Sequence, residues 1–112
     1  MNLPGIESAC ITEAKLSGYL LSLEHPSGRD KARFFISLGF HPRSPDVLRV
    51  AMLQHAASHA VSSVQRTAFG TKYLVDGDIR GPAGDAARIR SIWFVEAGDI
   101  RPRLVTAYPL RG

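Results

Sequence analysis

The spacing of hydrophobic residues changes near residue 60, and this change divides the chain into two halves. Before it, apolar side chains recur every three or four residues, which places them on one face of a helix. After it, apolar and polar side chains alternate, as they do along a strand. The sequence therefore predicts an α+β fold in a single domain, residues 1–112, with two or three N-terminal helices in residues 1–60 packed on a four-stranded antiparallel meander in residues 61–110.

The helical half contains four helix starts or stops that the sequence marks clearly. Thr12 is placed to cap a helix over residues 13–23. Ser27, followed three residues later by an aspartate, resembles a capping box, and Gly39 is suited to end that second helix in left-handed geometry. A serine, a proline and an aspartate in succession then predict a third helix over residues 45–59.

Two histidines lie on the packing face of the third helix. At about 100° per residue, His55 and His59 share a line with Leu48 and Met52. Such a histidine is either a hydrogen-bonded core residue or a proton-transfer group, and the sequence leaves both readings open. The i, i+4 spacing also fits two metal ligands, but no glutamate lies between them and no third ligand is near, so we predict no metal site.

The sheet half predicts strands at residues 61–69, 71–79, 86–97 and 103–108, separated by turns rich in glycine and proline. Alternation along the third strand assigns Trp93 to the side that the helices cover. The side chains predicted to fill the core come from both halves of the chain: Leu16, Leu20, Phe35, Ile36, Leu48, Met52, Trp93 and Val95.

The last strand is the one most suited to hold a ligand. Because side chains alternate, Thr106 and Tyr108 are predicted to point to one side, and Arg103, Val105 and Ala107 to the other. Two neighbouring hydroxyls at a strand end can hold a phosphate. They are equally explained as half-solvated packing residues of an edge strand.

Composition narrows the classes of protein and partner. With 45% hydrophobic and 21% charged residues the chain is globular rather than disordered. Lys and Arg outnumber Asp and Glu by 14 to 10, and the net charge of +4 favours anionic partners such as RNA or an acidic protein.

The single cysteine, Cys10, excludes an internal disulfide and is expected to be a small buried hydrophobe. No apolar run approaches the roughly 20 residues of a membrane span, so we expect no membrane association and a cytoplasmic location.

The residue types present fit RNA cleavage without a metal or cofactor. That reaction needs a base for the 2′-hydroxyl proton, an acid for the leaving oxygen, and cations or hydrogen-bond donors for the charge that builds on the phosphate. Residues of these types are His55, His59, Lys72, Arg88, Arg90, Thr106 and Tyr108. A basic cluster at the start of the second helix, where the helix dipole disfavours cations, is either an anion-facing patch or a solvated face: Arg29, Lys31 and Arg33.

The order of helices and strands, ending in Leu-Val-Thr-Ala-Tyr-Pro, resembles the barnase–EndoU–colicin–RelE superfold of metal-independent ribonuclease toxins. The whole chain is also similar to a family of small bacterial domains of unknown function. The segments that carry this second resemblance are Lys-Leu-x-x-Tyr-Leu-Leu (residues 15–21), His-Pro-x-Gly-Arg-Asp-Lys-Ala-Arg-Phe-Phe (25–35), His55, Gly-Thr-Lys-Tyr (70–73), Trp93 and Thr-Ala-Tyr-Pro (106–109).

The resemblance implies an endoribonuclease toxin of a toxin–antitoxin or toxin–immunity pair, with RNA as substrate and a small acidic protein as inhibitor. Thr106 and Tyr108 match the toxins' terminal strand, whose side chains hold the scissile phosphate. We interpret His55 as base or acid and Lys72 as a phosphate clamp, with His25 and His41 as other candidates for proton transfer. The remaining predicted substrate contacts are Arg88, Arg90, Arg29 and Lys31.

Two other functions fit the same residues. One is a non-catalytic module of the same fold that binds RNA or a protein. The other is an immunity or antitoxin protein, against which the net charge of +4 argues because an inhibitor of a basic nuclease is expected to be acidic.

Overall fold

The computed structural model describes residues 1–110 and has the predicted α+β architecture. Its helical segments are a 3₁₀ turn (Ile6–Ser8), α1 (Glu13–Lys15), a π-helical turn (Leu16–Leu20, the π-turn below), α2 (Arg29–Ser37) and α3 (Pro45–Ser58). Its strands are β1 (Val61–Thr67), β2 (Gly70–Arg80), β3 (Ala86–Glu96) and β4 (Arg103–Pro109). The strands form one antiparallel sheet in the order β1-β2-β3-β4. Within residues 1–110, no helix combines the length and apolarity needed to cross a bilayer.

The first predicted helix is capped as expected but ends early. The Thr12 hydroxyl accepts the backbone N–H of Lys15 at 3.2 Å, which confirms the cap. The α-helix then gives way to the π-turn, closed by a hydrogen bond from the Leu21 N–H to the Leu16 carbonyl at 2.8 Å. Gly18 favours this departure because glycine is a poor α-helix former. The predicted continuation to residue 23 is therefore wrong.

The second helix starts two residues after the predicted cap, and a different side chain holds its start. Nδ1 of His25 accepts the N–H groups of Ser27 and Gly28, both at 3.0 Å, in place of a serine cap. At the other end Gly39 adopts a φ of 99°. The N–H groups of Gly39 and Phe40 donate to the carbonyls of Ile36 and Phe35, which is the Schellman motif. The predicted role of Gly39 is confirmed.

The core lies between one face of the sheet and the helices. Trp93, Phe35 and Leu48 are fully buried there, as are Leu16, Leu20 and Met52. Ile36 only borders this core, and Val95 is half-buried near the end of β3. The burial of Trp93 confirms the predicted register of the third strand.

A β-bulge changes the predicted faces of the last strand. Thr106 pairs with Ile92 and Leu104 with Trp93, so the intervening Val105 has no partner on β3. The extra residue turns Leu104 into the core. Phe94 follows the buried Trp93 and so lies on the face away from the core, and Arg103, which pairs with Phe94, lies on that face as well. The expectation that Arg103 and Val105 share the face of Ala107 is corrected accordingly.

The outer edge of β4 is covered only at its beginning. Cys10 pairs with Arg103, and its carbonyl accepts the Leu104 N–H at 3.2 Å. Cys10 is exposed rather than buried because it belongs to this edge pairing and not to the core, which corrects the sequence expectation.

Candidate functional site

The face of the sheet turned away from the core carries most of the predicted site residues. Side chains that pair across the strands lie on the same face, and the register defines three rows on it. These rows, read from β2 through β3 to β4, are Asp76–Arg90–Tyr108, Leu74–Ile92–Thr106 and Lys72–Phe94–Arg103. Arg88, opposite Asp78, extends the same face. The structure thus brings Lys72, Arg88, Arg90, Thr106 and Tyr108 onto one surface.

Arg90 is fixed at the centre of this face by its neighbours. Its guanidinium donates hydrogen bonds to both carboxylate oxygens of Asp76, at 2.8 and 3.0 Å. The bond from Arg90 holds the pKa of Asp76 below its usual value, and the hydrogen bonds to Asp76 and Tyr108 raise the pKa of Arg90. Arg90 is therefore a permanent, oriented cation beside the Tyr108 hydroxyl.

His55 lies on the opposite side of the sheet, buried between α3 and β3. Trp93 Nε1–H donates to Ser91 Oγ at 2.9 Å, and Ser91 Oγ lies 2.9 Å from His55 Nε2. His55 Nδ1 lies 3.2 Å from the carbonyl of Asp78. All four groups are satisfied when His55 is neutral with its proton on Nδ1. The sheet separates His55 from Thr106 and Tyr108, so these predicted partners do not meet.

The buried His55 gives the fold a testable acid sensitivity. Burial lowers the pKa of His55 from its ordinary 6.5, so the unfolded chain takes up this proton at a higher pH than the folded chain. This contribution to stability is complete above pH 6.5 and is lost as the pH falls towards the folded-state pKa. We expect the free energy of unfolding, measured by urea denaturation, to fall between about pH 8 and about pH 5, with a slope of at most about 1.4 kcal/mol per pH unit. His55→Gln should remove most of this dependence, and an unchanged slope in that variant would assign it to another group.

A groove at the free edge of β4 brings together residues from three segments. Tyr19, in the π-turn, reaches around the edge, and its hydroxyl lies 3.0 Å from that of Thr106. The ammonium groups of Lys15 and Lys31 lie 5.0 and 5.4 Å from the centre of the Tyr19 ring. Neither lysine forms an ion pair with a carboxylate among residues 1–110. Two positive charges therefore lie against the tyrosine that meets Thr106: Lys15 lines the groove, and Lys31, whose ammonium group donates to the Ser27 carbonyl at 3.2 Å, lies beside the ring.

The environment of Tyr19 changes its acidity. Partial burial alone would raise the pKa of the phenol, but the Thr106 hydroxyl and the ammonium groups of Lys31 and Lys15 stabilise the phenolate and lower that pKa below 10.0. Within the described chain, the titratable groups that face Tyr19 are Lys15 on α1, Lys31 on α2 and His25 in the connecting loop.

His25 contributes an oriented ring to the same groove. Its centroid lies 5.0 Å from that of Tyr19, with the two rings nearly perpendicular at 82°. Because Nδ1 accepts two backbone N–H groups, the neutral ring carries its proton on Nε2. His25 is thus a hydrogen-bond donor through Nε2, and His41, whose Nδ1 accepts the Arg43 N–H, is exposed outside this groove.

The groove has the volume of a ligand-binding site. Its volume is about 760 Å³, within the range of roughly 300–1,000 Å³ for ligand sites. A second hollow, lined by Thr12, Phe94 and Arg103, adjoins it across the β-bulge, and Lys15 lines both. Of the predicted basic cluster, Lys31 reaches Tyr19, whereas Arg29 lies exposed at the first position of α2.

Sequence reasoning left Lys15 open as an RNA contact or ordinary surface, and it missed Tyr19 because helical spacing grouped that residue with the apolar Leu16 and Leu20. The signal that could have located this site is that three separate motifs of the family resemblance lie in it. Residues 15–21, 25–35 and 106–109, which carry the family resemblance, all contribute to this one groove.

Comparisons with known proteins identify a shared fold and a family. No curated protein matches the chain. A chain in the solved contact-dependent growth inhibition toxin–immunity protein complex from Klebsiella pneumoniae 342 is similar in structure, with a TM-score of 0.72 and 17% sequence identity. The match covers 96% of this chain and 98% of that one, so the two have the same fold. The model of a domain of unknown function, DUF6883, matches residues 2–111, and the chain therefore belongs to the DUF6883 family.

Proposed function

We propose that the protein is a metal-independent endoribonuclease toxin of a toxin–antitoxin or toxin–immunity pair. The observation that carries the proposal is the groove at β4, where the Tyr19 hydroxyl meets that of Thr106 and where Lys15, Lys31 and His25 lie against the Tyr19 ring. Unpaired ammonium groups attract a phosphodiester, and hydroxyl donors beside them can hold its oxygens.

The groups in and beside the groove match what cleavage by the neighbouring 2′-hydroxyl requires. Lys15 and Lys31 offset the charge that builds on the phosphate, and Thr106 orients it. Nε2–H of His25 supplies a further donor to a phosphate oxygen. Flanking nucleotides would cross the open face of the sheet, where Lys72, Arg88, Arg90 and Tyr108 contact phosphates and Phe94 offers an aromatic ring for a base. His55 is left with a structural role.

The protein partner would be a small acidic protein that covers the groove. The similar fold in the Klebsiella complex belongs to a toxin–immunity pair, which is a reason to expect a protein partner here. A net charge of +4 and the unpaired lysines of the groove favour an inhibitor of opposite charge.

The alternative is a non-catalytic module that binds RNA or protein through the same surface. One observation favours this alternative. Nδ1 of His25 is occupied by hydrogen bonds from the start of α2, and His55 is buried. Neither histidine therefore has the free nitrogen that a general base needs. A catalytic protein must then transfer protons through another group.

Growth after induced expression, with total RNA run on a gel, tests the proposal. We expect growth arrest and RNA fragments from the wild type, and loss of both in Thr106→Val and Tyr108→Phe, because these variants remove phosphate contacts. Tyr73→Phe is the matched control, since Tyr73 packs on the core side of the sheet. Normal growth and intact RNA with soluble, folded wild type would instead support the binding module.

A further inference from the structure

We infer that Tyr19 is the general acid of this site and protonates the leaving 5′-oxygen during RNA cleavage. This inference rests on the proposed function, which needs a proton donor for the leaving oxygen, and assigns that role to Tyr19. It names a residue that the terminal-strand resemblance does not include.

Geometry singles out Tyr19 among the groups of the groove. Its hydroxyl meets Thr106, the residue proposed to orient the phosphate, at 3.0 Å. The phenol lines the groove together with Thr106, so RNA bound in the groove meets both side chains.

The surrounding charges suit a phenol that gives up its proton. Lys15 and Lys31 lie against the ring from two different helices, and their positive charge stabilises the phenolate that donation leaves behind. No carboxylate among residues 1–110 pairs with either lysine to cancel this charge.

His25 cannot take the same role in its observed setting. A neutral ring that gave up its Nε2 proton would become an imidazolate. A charged ring would carry a proton on Nδ1, facing the two N–H donors of Ser27 and Gly28. His25 therefore stays a hydrogen-bond donor, and proton transfer falls to the phenol.

The backbone holds Tyr19 in place from two sides. It lies in the π-turn, a conformation that is rare in proteins and frequent at functional sites. The start of α2 packs against it so closely that a Cβ at Gly28 would lie 2.4 Å from the Tyr19 carbonyl oxygen.

Cleavage forms one bond to phosphorus and breaks another. The 2′-oxygen attacks phosphorus and forms the O2′–P bond while its proton passes to solvent water. The P–O5′ bond breaks, and its electron pair takes the Tyr19 proton. The products are a 2′,3′-cyclic phosphate and a free 5′-hydroxyl, and the Tyr19 phenolate recovers a proton from water.

Replacing the leaving oxygen by sulfur separates acid catalysis from positioning. After the wild-type cut site in a defined RNA is mapped, the same oligonucleotide is made with a bridging 5′-sulfur there. A thiolate, with an ordinary thiol pKa of roughly 8.5, leaves without a proton. Tyr19→Phe should slow cleavage of normal RNA by about 10²–10⁴-fold and of the sulfur RNA by less than about 3-fold.

The pH profile gives a second measurement. Because the acid must be protonated, wild-type cleavage should decline as pH rises through the Tyr19 pKa, below pH 10.0, and Tyr19→Phe should lack this decline. Tyr73→Phe should keep the wild-type rate on both substrates and the wild-type profile.

The outcomes distinguish this inference from the function on which it rests. A wild type that is folded and cleaves no RNA would overturn both. A wild type that cleaves, with a Tyr19→Phe variant that is equally fast or equally slowed on both substrates, would overturn only the role of Tyr19 as acid. Urea unfolding of the variant beside the wild type, agreeing within about 1 kcal/mol, establishes that both are folded.

Discussion

Replacing His55 with alanine is expected to lower the free energy of unfolding by about 3 kcal/mol. The substitution leaves a cavity beneath α3, removes the partner of the Ser91 hydroxyl, and leaves the Asp78 carbonyl without its hydrogen bond. His55 is only 2% exposed, so water is poorly placed to replace the lost contacts. Urea unfolding followed by circular dichroism measures the effect.

His59, the residue that follows α3, provides the matched control. It is half-buried, and its Nδ1 hydrogen bond goes to the carbonyl of His55 in the last turn of α3. His59→Ala should cost less than about 1 kcal/mol. Equal losses from the two variants would mean that the chain from Trp93 through Ser91 to His55 adds no stability of its own.

This result bears on how His55 is tested as a catalytic residue. Under the proposed function, loss of toxicity in His55→Ala cells is expected from loss of folded protein alone. The informative quantity is the cleavage rate of the purified, folded variant. A retained rate there supports the structural role, and a loss beyond the unfolded fraction would return His55 to the catalytic set.

Local patterns in the sequence were enough to predict the architecture. Period-two alternation located all four strands, and the side of β3 that carries Trp93 followed from it. Thr12 and Gly39 were predictable as helix ends because capping depends on the residue and its immediate neighbours. These features need no knowledge of what packs against them.

The candidate groove depends on contacts that the sequence does not encode locally. Tyr19 and Thr106 lie 87 residues apart, and their hydroxyls meet only because the π-turn packs at the β4 edge. Helical periodicity grouped Tyr19 with the apolar positions of the first helix, while the bulge at Val105 broke the alternation that predicted the faces of β4. The sequence preferred His55 as the proton-transfer group over the loop residue His25, but only tertiary packing shows that His55 is buried against Ser91 while His25 lies beside Tyr19.

Replacing Gly28 with alanine is expected to disrupt the groove without replacing any of its functional groups. The added Cβ would lie 2.4 Å from the Tyr19 carbonyl oxygen and 3.0 Å from Cδ1 of its ring, so α2 and the π-turn must move apart. Such overpacking costs about 1–3 kcal/mol. The movement separates Lys31 from Tyr19, and the cleavage rate of the folded variant should fall with it.

Gly18 is the control because it lies in the π-turn and lines the same groove. A Cβ there meets nothing within 4 Å, and the backbone is not in the left-handed region. Gly18→Ala should leave the free energy of unfolding unchanged or raise it by up to about 1 kcal/mol, since alanine restricts the unfolded chain. If Gly28→Ala matches Gly18→Ala in stability and in cleavage, the close packing of α2 on Tyr19 is not what holds the site together. If only Gly28→Ala loses activity, the position of Tyr19 relative to Lys31 is the property on which cleavage depends.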